Sequence, residues 1–274
     1  MVYRWDCRQC EFTVWSPSEG TTRDAVSSHL LEHNRRSLYR EGYQIGWNCP
    51  RCGAATLKHD KDEAVGAFKR HLYEHVEGRV QSGTHVASEV DGTGNTLVLA
   101  SPDSTGANNA RVHFFAPYDV AILVTTAVAD RLRLLEAHQS SWPDRTIVLT
   151  TKRQPLSSAD DLDLRDVPLE IVQLDPGIGL DGIGETISRV IAEHNSPETT
   201  ISLSFEILSE LLVKSKLETL FKFLHLLTSR VDSADAFSHF YCDPETKSGP
   251  TINLLSEVFD LRISATDDRL VLES

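Results

Sequence analysis

From Asn95 onward, short runs of aliphatic and β-branched residues alternate with segments whose apolar positions recur at helical spacing. The runs are TLVLAS (96–101), DVAILVTT (119–126), RTIVLTT (145–151), LEIVQL (169–174), TTISLSF (199–205) and FSHFYCD (237–243). Helices are predicted between them, most clearly over Val128–His138, Gly182–His194 and Lys216–Val231. In the last of these Leu217, Leu220, Phe221, Leu224, Leu227 and Val231 share one face. Strands alternating with helices predict an α/β fold, a mainly parallel sheet flanked by helices. The closing RISATDDRLVLE reads as a hairpin that turns at Asp267–Asp268.

The first 78 residues follow another rule. Cys7-x2-Cys10 is followed after eighteen residues by His29-x3-His33, and Cys49-x2-Cys52 after eighteen by His71-x3-His75, an offset of 42 at every position. Two thiolates two residues apart grip a cation from a tight knuckle, and imidazoles at i and i+4 share one helix face; together they make the tetrahedral S2N2 shell that Zn2+ prefers. Each half supplies a whole site, so two Zn2+ are expected. Trp5 and Trp47, Ala25 and Ala67, and Leu30 and Leu72 keep the same offset, which points to an internal repeat. A disulfide between Cys7 and Cys10 would leave the histidines unexplained.

These residues resemble the two-Cys, two-His zinc fingers, with Val26 and Phe68 where that family carries its core leucine. The pattern departs in its loop, eighteen residues in place of about twelve, and in the fifteen residues (34–48) that separate the halves. Carrying over the base-reading helix positions gives Thr22, Ala25 and Ser28 in the first half and Ala64, Ala67 and Arg70 in the second. Only Arg70 suits guanine, so a zinc-stapled interaction module is expected ahead of a sequence-specific DNA reader.

In the second part, SFEILSELL (204–212), LFKFLHLLTSRVDSADAFSHFYCDP (220–244) and TINLLSEVFD (251–260) resemble a haloarchaeal family of degenerate RecA-fold proteins related to KaiC and labelled HTR-like. The resemblance implies a RecA-like sheet preceded by two small ββα-type zinc fingers. The expected organisation is finger 1 with its linker over 1–40, finger 2 over 41–78, a polar linker over 79–94 and the RecA-like domain over 95–274. His85, in the linker, is expected to be exposed.

A working RecA-type ATPase needs G-x4-G-K-[S/T] after its first strand, because loop amides cradle phosphate, lysine neutralises it and the hydroxyl holds Mg2+. Here that loop is SPDSTGANN (101–109), with one glycine and no lysine. The Mg2+-associated acid falls on Glu206. Gly177-x-Gly179-x-x-Gly182 follows a strand and precedes a helix, but no acid follows at the spacing a dinucleotide site needs, so it reads as a turn. His225, His239 and Asp243 lack the surroundings of a nucleophile, base and orienter. His59 has no counterpart in the first half and is left out of the metal set. No catalytic residue is assigned, and no enzyme activity is expected.

Charge divides the chain. The net charge is −13, yet residues 1–85 hold twelve Arg/Lys against eleven Asp/Glu, leaving about −14 for the remainder. An acidic surface repels phosphate backbones, so any weak nucleic-acid contact falls to Arg35, Arg36, Arg40 and Arg70, while the α/β domain is expected to bind a protein partner or itself. Eight lysines against nineteen arginines, with excess acid, resemble a salt-adapted, halophilic proteome. Cys242 is expected to be a buried, inert thiol. No oxidising compartment, apolar leader or spanning segment is indicated, so a cytoplasmic location with no membrane contact is expected. The sequence thus predicts a non-enzymatic zinc-binding regulatory or interaction protein. A nucleic-acid-binding transcription regulator and an ATP-binding RecA-type protein are the alternatives.

Overall fold

The computed structural model describes residues 2–115, 118–139, 141–159 and 161–273. The chain divides into two compact units, Met1–Thr84 and His85–Ser274.

In the first unit, β1 (Tyr3–Asp6) and β2 (Thr13–Ser16) form a hairpin followed by α1 (Glu19–His33). Then come β3 (Leu38–Glu41), β4 (Gln44–Asn48), β5 (Ala55–Lys58), α2 (Lys61–Glu74) and β6 (Gln81–Ser82). Each helix starts at a side-chain cap: Ser18 Oγ accepts from Thr21 N at 3.1 Å, and Asp60 Oδ1 from Glu63 N at 2.8 Å. Such caps satisfy amides that would otherwise lack partners at a helix start.

The repeat runs past the metal ligands. Short 3-10 turns at Arg35–Ser37 and Glu77–Arg79 again lie 42 residues apart. The strand after each turn pairs with the other half's hairpin: β3 joins β4, and β6 joins β1. The segment 34–48, read from the sequence as a spacer, is therefore folded into a turn and two strands. The helices also pack together: Leu30 and Leu31 of α1 lie against the cluster of Trp47, Cys49, Phe68 and Leu72, Lys69 Nζ donates to Ser28 Oγ at 3.0 Å, and the Arg23 guanidinium covers the Tyr73 ring. Two halves that exchange strands and share a core form one body, not beads on a string.

The second unit contains β7 (Gly94–Leu99), α3 (Thr105–Phe115), β8 (Val120–Val124), α4 (Val128–His138), β9 (Arg145–Thr150), β10 (Leu169–Gln173) and α5 (Leu180–His194). It continues with β11 (Ile201–Phe205), α6 (Leu208–Lys214), α7 (Leu217–Asp232), β12 (Phe237–Cys242), α8 (Gly249–Ser256), β13 (Leu261–Thr266) and β14 (Arg269–Leu272). The strand order is β10-β9-β8-β11-β12-β7-β13-β14, parallel except for the final β13–β14 hairpin. That hairpin turns at Asp267–Asp268, as expected.

Helices cover both faces, which explains why the central strands are apolar throughout. Along β8, Val120, Ile122 and Val124 point into the core under α5 and α7, while Ala121 and Leu123 join Val128, Leu132 and Leu135 of α4 on the other side. The helices bury matching stripes, Ile183, Ile187, Val190 and Ile191 on α5 and Leu220, Phe223, Leu224, Leu227 and Val231 on α7. The result is the mainly parallel, helix-flanked α/β sheet that the sequence predicts. Residues 79–94, read as a polar linker, include the end of a 3-10 turn, β6 and a second 3-10 turn at Val86–Val90.

His85 departs from expectation. It is half-buried, stacks on His113 with ring centroids 4.1 Å apart, bonds the His113 carbonyl through Nε2 at 2.8 Å, and caps the Val86–Val90 turn by accepting from Ala87 N. A polar neighbourhood in the sequence hid a residue that three-dimensional packing requires.

Candidate metal centres and the crevice of the sheet

The knuckle of each half lies between two hairpin strands, and the two histidines lie one turn apart at the end of the following helix. The first Cys of each knuckle is fixed by the backbone: Cys7 N donates to Phe12 O at 2.9 Å and Cys49 N to Ala54 O at 2.7 Å. Cys7, Cys10, His29 and His33 come together in one cluster, and Cys49, Cys52, His71 and His75 in another, with the ligand atoms of each set within 4.8 Å of one another. All eight residues singled out in the sequence are thereby gathered into two groups that can each hold a metal ion.

The spacing within each group tests whether a tetrahedral ion fits. With metal–S near 2.3 Å and metal–N near 2.0–2.1 Å, tetrahedral angles require S···N of about 3.5 Å and N···N of about 3.3 Å. In the first cluster Cys10 Sγ lies 3.4 Å from His29 Nε2 and 3.5 Å from His33 Nε2, with Cys7 Sγ 3.5 Å from His33 Nε2; the two Nε2 atoms are 3.0 Å apart. In the second, Cys49 Sγ–His75 Nε2 is 3.5 Å, Cys52 Sγ–His71 Nε2 is 3.2 Å and the Nε2 atoms are 3.1 Å apart. Both sets fit.

Aromatic walls set the imidazoles. His29 stacks on Phe12 at 3.9 Å and His71 on Trp47 at 5.0 Å. Burial, then the charge of His33, draws His29 down to about 4, and burial, then His71, lowers His75; both therefore hold the neutral form that a ligand needs. His59 is exposed and contacts Gln44 Nε2 instead, outside the cluster.

In the second unit, the C-terminal ends of the parallel strands are where such sheets bind ligands, at the point where strand order reverses. Here the reversal lies between β8 and β11, and its crevice is filled. Glu206, just after β11, has a side chain only 4% exposed and pairs with Arg131 Nε through Oε2 and with Arg111 Nε through Oε1 at 3.4 Å. Thr125 Oγ1 and Ser204 Oγ donate to the same carboxylate at 3.2 and 3.3 Å. Arg111 also reaches Pro102 O at 2.9 Å and lies over the Tyr241 ring at 4.8 Å. Burial presses the Arg111 guanidinium down and Glu206 opposes that shift.

Sequence reading found Glu206 but not its two arginines. Arg111 and Arg131 lie on α3 and α4, among residues that look like ordinary helix surface. A partial signal exists: Arg111 lies among the apolar positions Ala107, Ala110, Phe114 and Phe115, all buried.

The loop after β7 is likewise shaped by packing. A Cβ on Gly106 would lie 2.5 Å from Thr266 O and 2.6 Å from Ala265 O, so this glycine lets α3 approach β13 closely. Ser104 Oγ accepts from Ala107 N at 3.1 Å and caps α3. Gly177 and Gly179 lie in the turn before α5, where Gly177 N donates to Asp175 Oδ1, and Gly182 lies against Ile178. His239 is buried, bonded to Ser202 and Tyr241, while His225 is exposed and Asp243 caps Glu245 N. Cys242 is buried and its thiol is pushed up to about 11 by burial, the inert state expected.

Residues 93–265 match the family of unknown function DUF7504. The chain belongs to that family. No curated protein matches it. Similar solved structures include the PH0250 protein of Pyrococcus horikoshii OT3, at 10% identity and TM-score 0.45, covering 67% of this chain and 89% of that one. The flagellar accessory protein FlaH of Methanocaldococcus jannaschii gives 10% identity and TM-score 0.36 over 62% of this chain and 70% of that one. An ATPase from the type III secretion system of pathogenic bacteria gives 12% and 0.40 over 64% and 51%. Among the described residues no helix is long and apolar enough to cross a membrane.

Proposed function

We propose that this chain is a non-enzymatic regulatory or interaction protein, with a zinc-stapled N-terminal module that recognises a protein partner and a RecA-like domain that does not turn over nucleotide. The observation that carries the reading is the packing of the two helices. The helix positions that would read bases include Thr22, Ala25 and Ala64, all buried, and Ser28, which holds Lys69 of the other helix. Packing takes up these four positions, and of the six that would read bases only Arg70 is exposed.

Zn2+ is the ion that the S2N2 donor set favours: two thiolates and two neutral imidazoles at tetrahedral spacing, with no fifth ligand required. The ion supplies folding free energy, since an 84-residue body with a small shared core gains much from metal staples. In the second unit, Glu206 is engaged by two buried guanidiniums and the glycine of the preceding loop serves helix packing, which supports a structural role for both.

A salt series with the zinc-loaded full chain tests the reading. Filter binding to duplex DNA should show no steep logarithmic salt slope, and Mg-ATP should give no phosphate release above a no-protein control. A slope of several phosphate contacts, or turnover abolished by Glu206→Gln, would replace it with one of the alternatives.

A further inference from the structure

Within the first unit a cavity of about 420 Å³ opens between the two knuckles, its wall shared by both halves of the repeat. Leu30 and Leu72, equivalent residues of the two halves, line it together with Val76. Arg8 of the first knuckle, Arg51 of the second and Arg79 of the turn after α2 also line it, beside Cys7, Cys49 and His75 of the two clusters. No Asp or Glu lines the cavity, although acids outnumber Lys and Arg by 40 to 27 in the chain. An apolar floor whose charged neighbours are all arginines gives this cavity a positive sign, in a unit whose acids and bases are otherwise nearly balanced.

The arginines differ in what they have free. Arg79 is held by Asp6 and covers the Trp5 ring at 5.3 Å. Arg51 donates one N–H to His75 O at 3.0 Å and keeps the rest of its fork. Arg8 is exposed and has no partner among the described residues. Two guanidinium forks, one from each half, are thus available to carboxylates, which they bind in bidentate fashion.

The floor decides which anion fits. Nucleic acid binds such grooves by stacking bases on exposed rings, and the aromatic residue here, Trp5, is 1% exposed with Arg79 over it. Aliphatic walls instead suit an aliphatic side chain, and the volume falls in the range of pockets that enclose small groups. We propose that this cavity binds an acidic peptide segment, one leucine-like side chain seated on Leu30, Leu72 and Val76 and its flanking carboxylates paired with Arg8 and Arg51. This deepens the interaction role proposed above and rests on it.

The test uses the full chain with both zincs bound and a SEDLDES-amide peptide carrying fluorescein on its N-terminal amine. Anisotropy should show saturable binding that weakens at least tenfold in the Arg8→Gln/Arg51→Gln double variant, and equally when the peptide leucine is replaced by serine. Gln9→Glu, which places an acid in the cavity wall without touching a metal ligand side chain, should weaken binding as well. Absence of binding with two zincs retained, or binding indifferent to the leucine or to all three substitutions, overturns the pocket and leaves the interaction role standing. Tighter binding of oligo(dT) than of peptide, lost in the double variant, overturns both.

Discussion

His71 Nε2 and His75 Nε2 face each other at 3.1 Å, one helical turn apart, with Cys52 Sγ 3.2 Å from the first and Cys49 Sγ 3.5 Å from the second. Two imidazole nitrogens so close, beside two thiols, share one focus, and a cation at that focus satisfies all four. The His29–His33 pair repeats the relation at 3.0 Å. Protein purified without chelator should therefore carry two zincs per chain by elemental analysis. Cys49→Ser should reduce the content to one. It should also lower the stability of the first unit as a whole, because Leu30 and Leu31 of α1 pack on the second half's core. A chelator titration followed by circular dichroism reports both effects; loss of one zinc with the helices unchanged would show that the halves fold independently.

Glu206 neutralises two buried guanidiniums, so its removal leaves uncompensated charge. Glu206→Ala should destabilise the second unit by about 3–5 kcal/mol, the usual cost of breaking a buried ion pair from one side. The triple change Arg111→Met and Arg131→Met with Glu206→Gln should recover much of that loss, because no member of the triad then carries a buried charge. Urea unfolding at neutral pH measures each. A Glu206→Ala protein as stable as the parent would mean that the carboxylate is held for another purpose.

How much of this was legible beforehand depends on whether the signal is periodic. The Cys/His pattern is written twice at a constant offset, so all eight residues of the two clusters could be named from the sequence, and the strands, buried on both faces, announce themselves as apolar runs. The ion triad was harder to read, because Arg111, Arg131 and Glu206 lie on α3, on α4 and after β11, up to 95 residues apart, and only the apolar neighbours of Arg111 hint at its burial. The exchange of β3 and β6 between the halves was hidden for a related reason. LYRE and QS carry weak strand patterns, and only a partner edge turns them into strands. His85 looked exposed because its stacking partner His113 lies on another element.

Gly106 tests the packing reading of the loop after β7. Gly106→Ala would push a methyl group onto the carbonyls of Thr266 and Ala265, backbone atoms that cannot swing aside as a side chain can. The cost should be about 1–3 kcal/mol, the range for overpacking, in spite of alanine's better helix propensity. Thermal unfolding of the single variant checks it. A gain in stability would show that the close approach of α3 to β13 relaxes freely.

Two buried histidines set the acid limit of the second unit. Burial, then His85, draws His113 down to about 3, and burial, with His85, Arg111 and His113 adding to it, draws His239 well below its ordinary value. In the unfolded chain both take up protons near pH 6.5. Below that pH the unfolded state binds more protons than the folded one, so the stability present above 6.5 is lost as pH falls towards 3. Each histidine should cost about 2 kcal/mol between pH 7 and pH 5, from about 1.4 kcal/mol per pH unit once below 6.5. Asp119, whose carboxyl is lowered by Thr200, contributes the same sign of change only at more acid pH. Urea melts of the full chain at pH 7 and 5, read by a probe in the second unit, should show this fall. His113→Asn, which removes one titrating ring, should reduce it by about half. An equal slope in the variant would mean that His113 takes its proton in the folded state, through an opening of the stack with His85.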